Sequence, residues 1–405
     1  MTDYKKWDVL RKLNEWIGFF LAIIVLLLLS QKNLGVAMFA GALILGLFTI
    51  PDRLLSSIIY RLTEPSTIVL AIIVALIPVI GGILNETGEM DSLLQNLRIG
   101  KKLFLMFSPA LIGLLPMPGG ALISAPMVEK AGNGMPDDKK AAVNVWFRHI
   151  LYLIYPISSA FIISTKVANL NLYAPIPYLM ILFIFSLLIG YLFFLRGPSE
   201  KLRYEEAFSL KGLLQPLTIL LIAPLIDIIL KTFVRLPVKE VATLIAVATS
   251  LVLAIIVERD KASLIRRAAI KAKPWNFAFM MFGIMLFIGV FKDSGISELF
   301  RNQPMSFESI LLLGFALGFV TGRVVTPAGI VFPISLSAFG SISPYIFSLI
   351  YFGIFLGYLL TPVHPCISLT IEFMKVDLKN YIKRVAPPAI ISLFISLVLI
   401  HFPIL

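Results

Sequence analysis

From Ser66 to Leu84 the chain carries no charged side chain, and comparable apolar runs recur at Ile17 to Ser30, Ile176 to Leu195, Val241 to Val257 and Ala389 to Leu405. A bilayer core of about 30 Å asks for about 20 apolar residues per crossing helix, and these runs approach that length. Charged residues make up 14% of the 405 and hydrophobic ones 59%, whereas a soluble domain carries about 25% charged residues. The chain therefore reads as an all-α polytopic membrane protein. Its net charge of +12 does not imply nucleic acid. The Lys and Arg lie between the apolar runs, where they orient helices and meet anionic lipid, so the partner they imply is the bilayer. The amino terminus, MTDYKKWDVLRKLNEW, is basic and leads into an apolar run without a small-residue cleavage site. It is expected to be a retained first helix. With a single cysteine, Cys366, neither an intramolecular disulfide nor a cysteine-based metal site is expected.

The two halves resemble each other. Glu86-Thr87-Gly88 matches Asp293-Ser294-Gly295, Pro118-Gly119-Gly120 matches Pro327-Ala328-Gly329, and Pro126-Met127 matches Pro333-Ile334. Tyr152 with Tyr155-Pro156-Ile157 matches Tyr358 with Thr361-Pro362-Val363. The four matches fall in the same order at a nearly constant separation, which is the signature of an internal duplication. The expected units are a first membrane repeat over 1–198 and a second over 199–405. Helical segments are expected at 13–30, 34–50, 66–84, 103–132, 139–170 and 176–195, and again at 213–230, 241–257, 275–291, 306–340, 344–374 and 387–405.

The interrupted segments decide the topology. Leu103 to Leu115 rises only about 20 Å as a helix, and the run Pro116-Met117-Pro118-Gly119-Gly120 then removes backbone donors and adds flexible positions. Such an arm reads as one side of a re-entrant hairpin. Each repeat then has about five transmembrane helices plus a hairpin and a broken helix, and the odd number of crossings inverts the second repeat. The competing reading is a kinked spanning helix with parallel repeats. The distribution of Lys and Arg favours the hairpins with both termini outside, although the basic start of the chain argues the other way. The stretch Glu258 to Lys273, basic beside apolar, is expected to lie on the inner surface as an amphipathic helix.

Irregular backbone at membrane depth persists only where it is buried in protein or lines a cavity. Four such places are expected: the hairpin tips around Pro118, Gly119 and Gly120 and around Thr326, Pro327 and Gly329, and the breaks at Ser158, Ser159 and at Thr361, His364. Amides freed at half-helix starts favour an anion. Proline and glycine that merely kink helices are the plain alternative for any one of them. Ionisable groups inside apolar segments are costly and point to function. Arg148 lies deep in its helix beside His149, and Asn144, Arg148, Tyr152 and Tyr155 form a helical stripe. Arg323 sits at the second tip. Two arginines suit bidentate binding of a carboxylate or oxyanion; snorkelling or structural pairing is the plain reading of Arg148, and hydrogen-bonded packing that of each histidine. Asp227, with Lys231 four residues on, is either a local ion pair or, with His149, part of the ion coupling; Lys166 is expected to mark a membrane boundary. Ser124 lacks a nucleophile motif, and neither HExxH nor a nucleotide loop occurs. An enzyme is not expected.

Two inverted halves, each with a hairpin and a broken helix, resemble the ion transporter superfamily of dicarboxylate, citrate, gluconate and arsenite carriers. Leu114-Leu115-Pro116-Met117-Pro118-Gly119-Gly120 and Val325-Thr326-Pro327-Ala328-Gly329 look like an uncharacterised ten-span prokaryotic branch described only as of unknown function. That resemblance implies a transport domain of hairpins and broken helices moving against a scaffold, a homodimer, and the plasma membrane of a prokaryote. The dicarboxylate branch carries Ser-Asn-Thr motifs at tips and breaks; this chain has proline and glycine at the tips and Ser158, Ser159, Thr361 and His364 at the breaks. The expectation is an ion-coupled secondary transporter of a small anionic solute, without a cofactor beyond Na+ or H+ as coupling ion. The alternatives are a sodium/proton antiporter, a channel or scaffold, and a membrane-embedded enzyme.

Overall fold

Inside hydrocarbon every backbone polar group needs a partner within the protein, and the helix supplies it without an edge. The computed structural model describes residues 2–114, 120–197, 202, 204 and 207–402, and no strand occurs among them. The first half builds α1 (Thr2–Ser30), α2 (Leu34–Thr49), α3 (Leu54–Thr63), α4 (Pro65–Glu86) and α5 (Glu89–Gln95). It continues with α6 (Lys101–Gly113), α7 (Ala121–Ala131), α8 (Asp137–Ile150), α9 (Ser159–Val167) and α10 (Ile176–Gly190). The second half repeats that succession as α11 (Leu210–Phe233), α12 (Glu240–Val257), α13 (Ala262–Ala272), α14 (Pro274–Asp293) and α15 (Ile296–Arg301). It ends with α16 (Phe307–Thr321), α17 (Val325–Phe339), α18 (Pro344–Leu360), α19 (Pro365–Phe373) and α20 (Leu378–Leu399). By length and composition, 8 helices among the described residues can cross a membrane; α2, α16 and α17 are shorter apolar helices. The protein is a polytopic membrane protein.

Local chemistry sets the helix starts. Asn33 accepts from the Val36 amide at 3.1 Å to cap α2, and Ser209 accepts from Gly212 at 3.1 Å to cap α11. Ser343 caps α18 while Pro344 takes its first position, where a missing amide costs nothing. Gly322, at φ 61, lets the chain leave α16 in the left-handed region.

The interrupted segments are hairpins. With 13 and 11 residues, α6 and α7 rise only about 20 and 16 Å, and they pack along each other, as α16 and α17 do. The kinked spanning alternative is thereby set aside. The amphipathic helix expected between Glu258 and Lys273 is α13, closed by Lys273 at φ 46. Its counterpart α3 was not expected: Leu55, Ile59 and Tyr60 project outward from it beside Arg61, an interfacial pattern hidden between two stronger apolar runs. Two further departures are the starts of α1 at Thr2 and α20 at Leu378, earlier than hydropathy alone indicates because polar turns extend both helices beyond their apolar runs.

Two groups of helices emerge. In one, α1 packs on α2, α2 and α4 on α14, and α4 and α11 on α12. In the other the halves interlock crosswise: α9 lies against α17, and α19 against α7, while α8 lies along α6 and α18 along α16. Small residues permit the closest approach, since a side chain at Gly318 or Gly357 would strike the backbone carbonyl of Ile354 or Phe315.

Candidate functional site

Four half-helices begin in the interior of the second group. α8 ends at Ile150 and gives way to Tyr155-Pro156-Ile157-Ser158, whose proline has no amide to continue the ladder. Ser158, in extended conformation, then accepts from the Phe161 amide at 3.2 Å and starts α9. In the second half α18 stops at Leu360, the Thr361 hydroxyl accepts from the Val363 amide at 3.3 Å, and His364 precedes Pro365 at the start of α19. The hairpin arms α7 and α17 begin next to Gly120 and Val324. The crosswise packing of α9 with α17 and of α7 with α19 brings each break to the opposite half's hairpin. Helix starts carry partial positive charge and free amides, so this region suits an anion.

Arg148 enters it from the end of α8. It is 2% exposed, and one guanidinium nitrogen donates to the Gly120 carbonyl at 2.8 Å and to Ser124 Oγ at 3.2 Å. Its Nε is buried without a partner. A side chain at Gly113 would collide with the Arg148 carbonyl, and one at Gly120 with its guanidinium, so the hairpin seats itself around this arginine. Arg323 follows Gly322 at the second tip and is half-buried. Among the described residues neither arginine is paired with a carboxylate. Buried hydroxyls without partners accompany them: Ser159 Oγ at the first break and Thr326 Oγ1 in the first turn of α17. Asn144 reaches across to Thr370 of α19 at 2.9 Å and leaves its Oδ1 unpaired. Buried polar atoms are normally satisfied, and four left over, Arg148 Nε, Asn144 Oδ1, Ser159 Oγ and Thr326 Oγ1, lie on the hairpin arm, the break and the helix that leads to it.

The histidines meet. His149 Nδ1 lies 2.8 Å from the Val145 carbonyl, and its Nε2 lies 3.2 Å from His364 Nε2. Tyr358 packs its ring against both, with centroids at 5.0 and 4.3 Å. Of the residues anticipated from sequence, Gly120, Arg148, His149, Ser158, Ser159, Arg323, Thr326, Thr361 and His364 belong to the tips and breaks. Pro118 and Gly119 lie outside the described residues. Pro327 and Gly329 are buried within α17, and a side chain at Gly329 would meet Met38 of α2 at 3.1 Å. That glycine faces the other helix group rather than an open space.

Asp227 is placed elsewhere. It is fully buried between α11 and α12, accepting from Tyr173 at 2.6 Å, Lys231 at 2.8 Å and Thr243 at 2.8 Å. None of these partners belongs to a tip or a break. Lys166 is more than a boundary marker: it binds Glu240 at 2.6 Å and Ser66 at 2.8 Å. Both lysines line a cavity of ≈ 550 Å³ together with Arg235, Lys239, Glu240 and Thr243. The sequence reading missed this basic cleft because its cations come from α9, α11 and the following turn. It also missed Cys366 as a neighbour of the two histidines: counting cysteines said nothing about histidines folded beside one.

The pattern of one described family, "Protein of unknown function (DUF401)", matches residues 13–404. The chain belongs to the DUF401 family. No curated protein matches it. Among solved structures, a transporter from Alcanivorax borkumensis, YdaH, whose crystal structure is described as having an unusual topology, is similar with a TM-score of 0.64 and 14% identity. The similarity covers 95% of this chain and 97% of that one. At this identity the likeness is one of fold, and it spans nearly the whole of both chains. This member of the DUF401 family thus shares its architecture with a transporter.

Proposed function

We propose that the protein is a secondary transporter of a small anionic solute, bound where the two hairpin tips meet the two broken helices. The observation that carries this reading is a pair of arginines without carboxylate partners among the described residues, Arg148 buried and Arg323 half-buried, set among half-helix starts. Burying an uncompensated cation costs several kcal/mol on membrane scales, and an arriving carboxylate or oxyanion would remove that cost by bidentate pairing. The unpaired Ser159 and Thr326 hydroxyls would supply further contacts, while Arg235 and Lys239, lining a cleft whose two other lysines are already paired with acids, would draw anions toward the protein. The group of hairpins and broken helices is the natural moving part against α1–α4 and α11–α14. Coupling to Na+ or H+ follows from the need for a driving gradient, since the chain has no nucleotide loop. The likeness in fold to a transporter supports the reading. A sodium/proton antiporter would need an acid free to titrate in the centre, and Asp227 is held by three donors outside it.

Proteoliposomes loaded with a pH-sensitive dye test this. Small carboxylates or oxyanions should be taken up, with internal acidification where the coupling ion is H+ and with sodium entry where it is Na+, and sodium alone should leave the internal pH unchanged. Proton movement on adding sodium without any organic or inorganic anion would transfer the protein to the antiporter reading.

A further inference from the structure

His149 ends α8 in the first half, and His364 and Cys366 open α19 in the second, more than two hundred residues away. The fold nevertheless brings a ring nitrogen of His149, a ring nitrogen of His364 and Cys366 Sγ within 4.8 Å of one another. The tautomer of His149 follows from its neighbour: a carbonyl only accepts, so Nδ1, 2.8 Å from the Val145 carbonyl, donates. In the neutral ring Nε2 then carries a lone pair, and it points at the other imidazole 3.2 Å away. Histidines that bind metals are fixed in this way, with the second nitrogen donating to a backbone carbonyl.

The spacing fits a cation as well as a proton. Two nitrogens each about 2.0–2.1 Å from a tetrahedral ion stand about 3.3 Å apart, against the 3.2 Å observed. A bridging proton would explain the two rings and leave the thiol without a part; among the described residues the Cys366 sulfur makes no hydrogen bond. An ion uses all three. Two imidazoles and one thiolate form the donor set of zinc-class ions, and they exclude calcium and magnesium, which take oxygen ligands. His149 and His364 are buried, whereas Cys366 is only partly so and Pro362 and Val363 beside it are exposed, giving an ion a way in.

We propose that His149, His364 and Cys366 bind one zinc-class divalent ion, which clamps the second break to the end of α8. Binding converts the Cys366 thiol to thiolate, with its proton released to solvent, and leaves a fourth coordination position for water or an anion. The charged groups acting on this place are Arg148 and Arg323, so an anion in that fourth position would be doubly held. The ion site stands independently of the solute reading.

Cobalt(II), a spectroscopic stand-in for zinc, tests it on the full-length protein purified in detergent through a histidine-free tag and stripped with chelator. The expected result is one equivalent of Co2+ per chain, with tetrahedral d–d bands in the visible and a thiolate charge-transfer band in the near ultraviolet. Cys366→Ser, nearly isosteric, should remove the charge-transfer band. His149→Gln and His364→Gln should each weaken binding by more than about 100-fold, beyond what loss of an outer hydrogen-bond partner costs. Gel filtration and thermal melting of each variant identify any that failed to fold, and Cys366→Ser alone is sufficient to decide the matter. No tetrahedral spectrum with the wild type, or a spectrum unchanged by Cys366→Ser, overturns the proposal. Neither outcome touches the anion reading, which involves no added metal.

Discussion

Two buried charges in this molecule have opposite surroundings. Asp227 sits between α11 and α12 with a lysine, a tyrosine and a threonine all donating to it within 2.8 Å. Arg148 sits at the end of α8 with a carbonyl and a serine for partners and its Nε left over; Arg323 has no carboxylate partner among the described residues. The first arrangement is closed: its charges cancel and nothing is left to bind. The second is open, and its deficit is one of negative charge. Depth in the membrane alone does not separate a structural charge from a functional one, whereas the balance of its partners does.

The contrast can be broken most directly at the arginines. Arg148→Lys keeps the charge and loses the planar fork, and Arg323→Ala loses both. Each should reduce solute uptake by about 10- to 100-fold, the equivalent of one charge-assisted hydrogen bond of about 1.5–3 kcal/mol, with protein levels in the membrane unchanged. Normal uptake by both would dissolve the distinction. Asp227→Ala should do the reverse. It leaves Lys231 without its acid and should cost about 3 kcal/mol of stability, as breaking a buried pair does, read as a lower melting temperature. The protein that remains folded should bind solute as the wild type does; loss of binding without loss of stability would return Asp227 to the coupling role.

A smaller effect sharpens the geometry. Gly120→Ala places a methyl group against the Arg148 guanidinium, which should displace either the arginine or the tip. Uptake should fall while the melting temperature moves little, because Gly120 lies in a turn rather than within a helix. The smallest effect belongs to Glu89, at the start of α5, which burial and the neighbouring Glu258 carboxylate push above its ordinary value. A raised carboxyl binds its proton more tightly in the folded state, so stability should decline as pH rises from the ordinary carboxylate range through the raised value. Melting curves of Glu89→Gln should lack that decline.

The fold was readable where the physics is local and strong. Long apolar runs, the short arms on either side of Pro116 to Gly120, and the recurrence of both in each half lead to hairpins and broken helices without further help. The short helices α3, α5 and α15 escaped because a few interfacial residues between two spans give little periodicity. At the site, Arg148, Arg323, Ser158 and His364 stood out because polar side chains in apolar segments are conspicuous. The meeting of His149 with His364 and Cys366 did not, since it depends on how two broken helices from different halves are packed. Asp227 was only half legible for a related reason: sequence showed its lysine four residues on, but not the tyrosine from the loop after α9 or the threonine of α12 that complete its shell.

The central claim is that the arginine-lined meeting of tips and breaks is an anion site, and ligand-dependent melting tests it most directly. Wild type and the Arg148→Ala/Arg323→Ala double variant, both purified in detergent, would be melted with carboxylates, sugar acids and oxyanions, each with sodium or potassium. At 100 times its dissociation constant a ligand adds about 2.7 kcal/mol, so the account predicts at least one anion that raises the melting temperature of the wild type and leaves the double variant unmoved. An anion that stabilises both proteins equally, or a wild type that responds only to sodium or to pH, would contradict it.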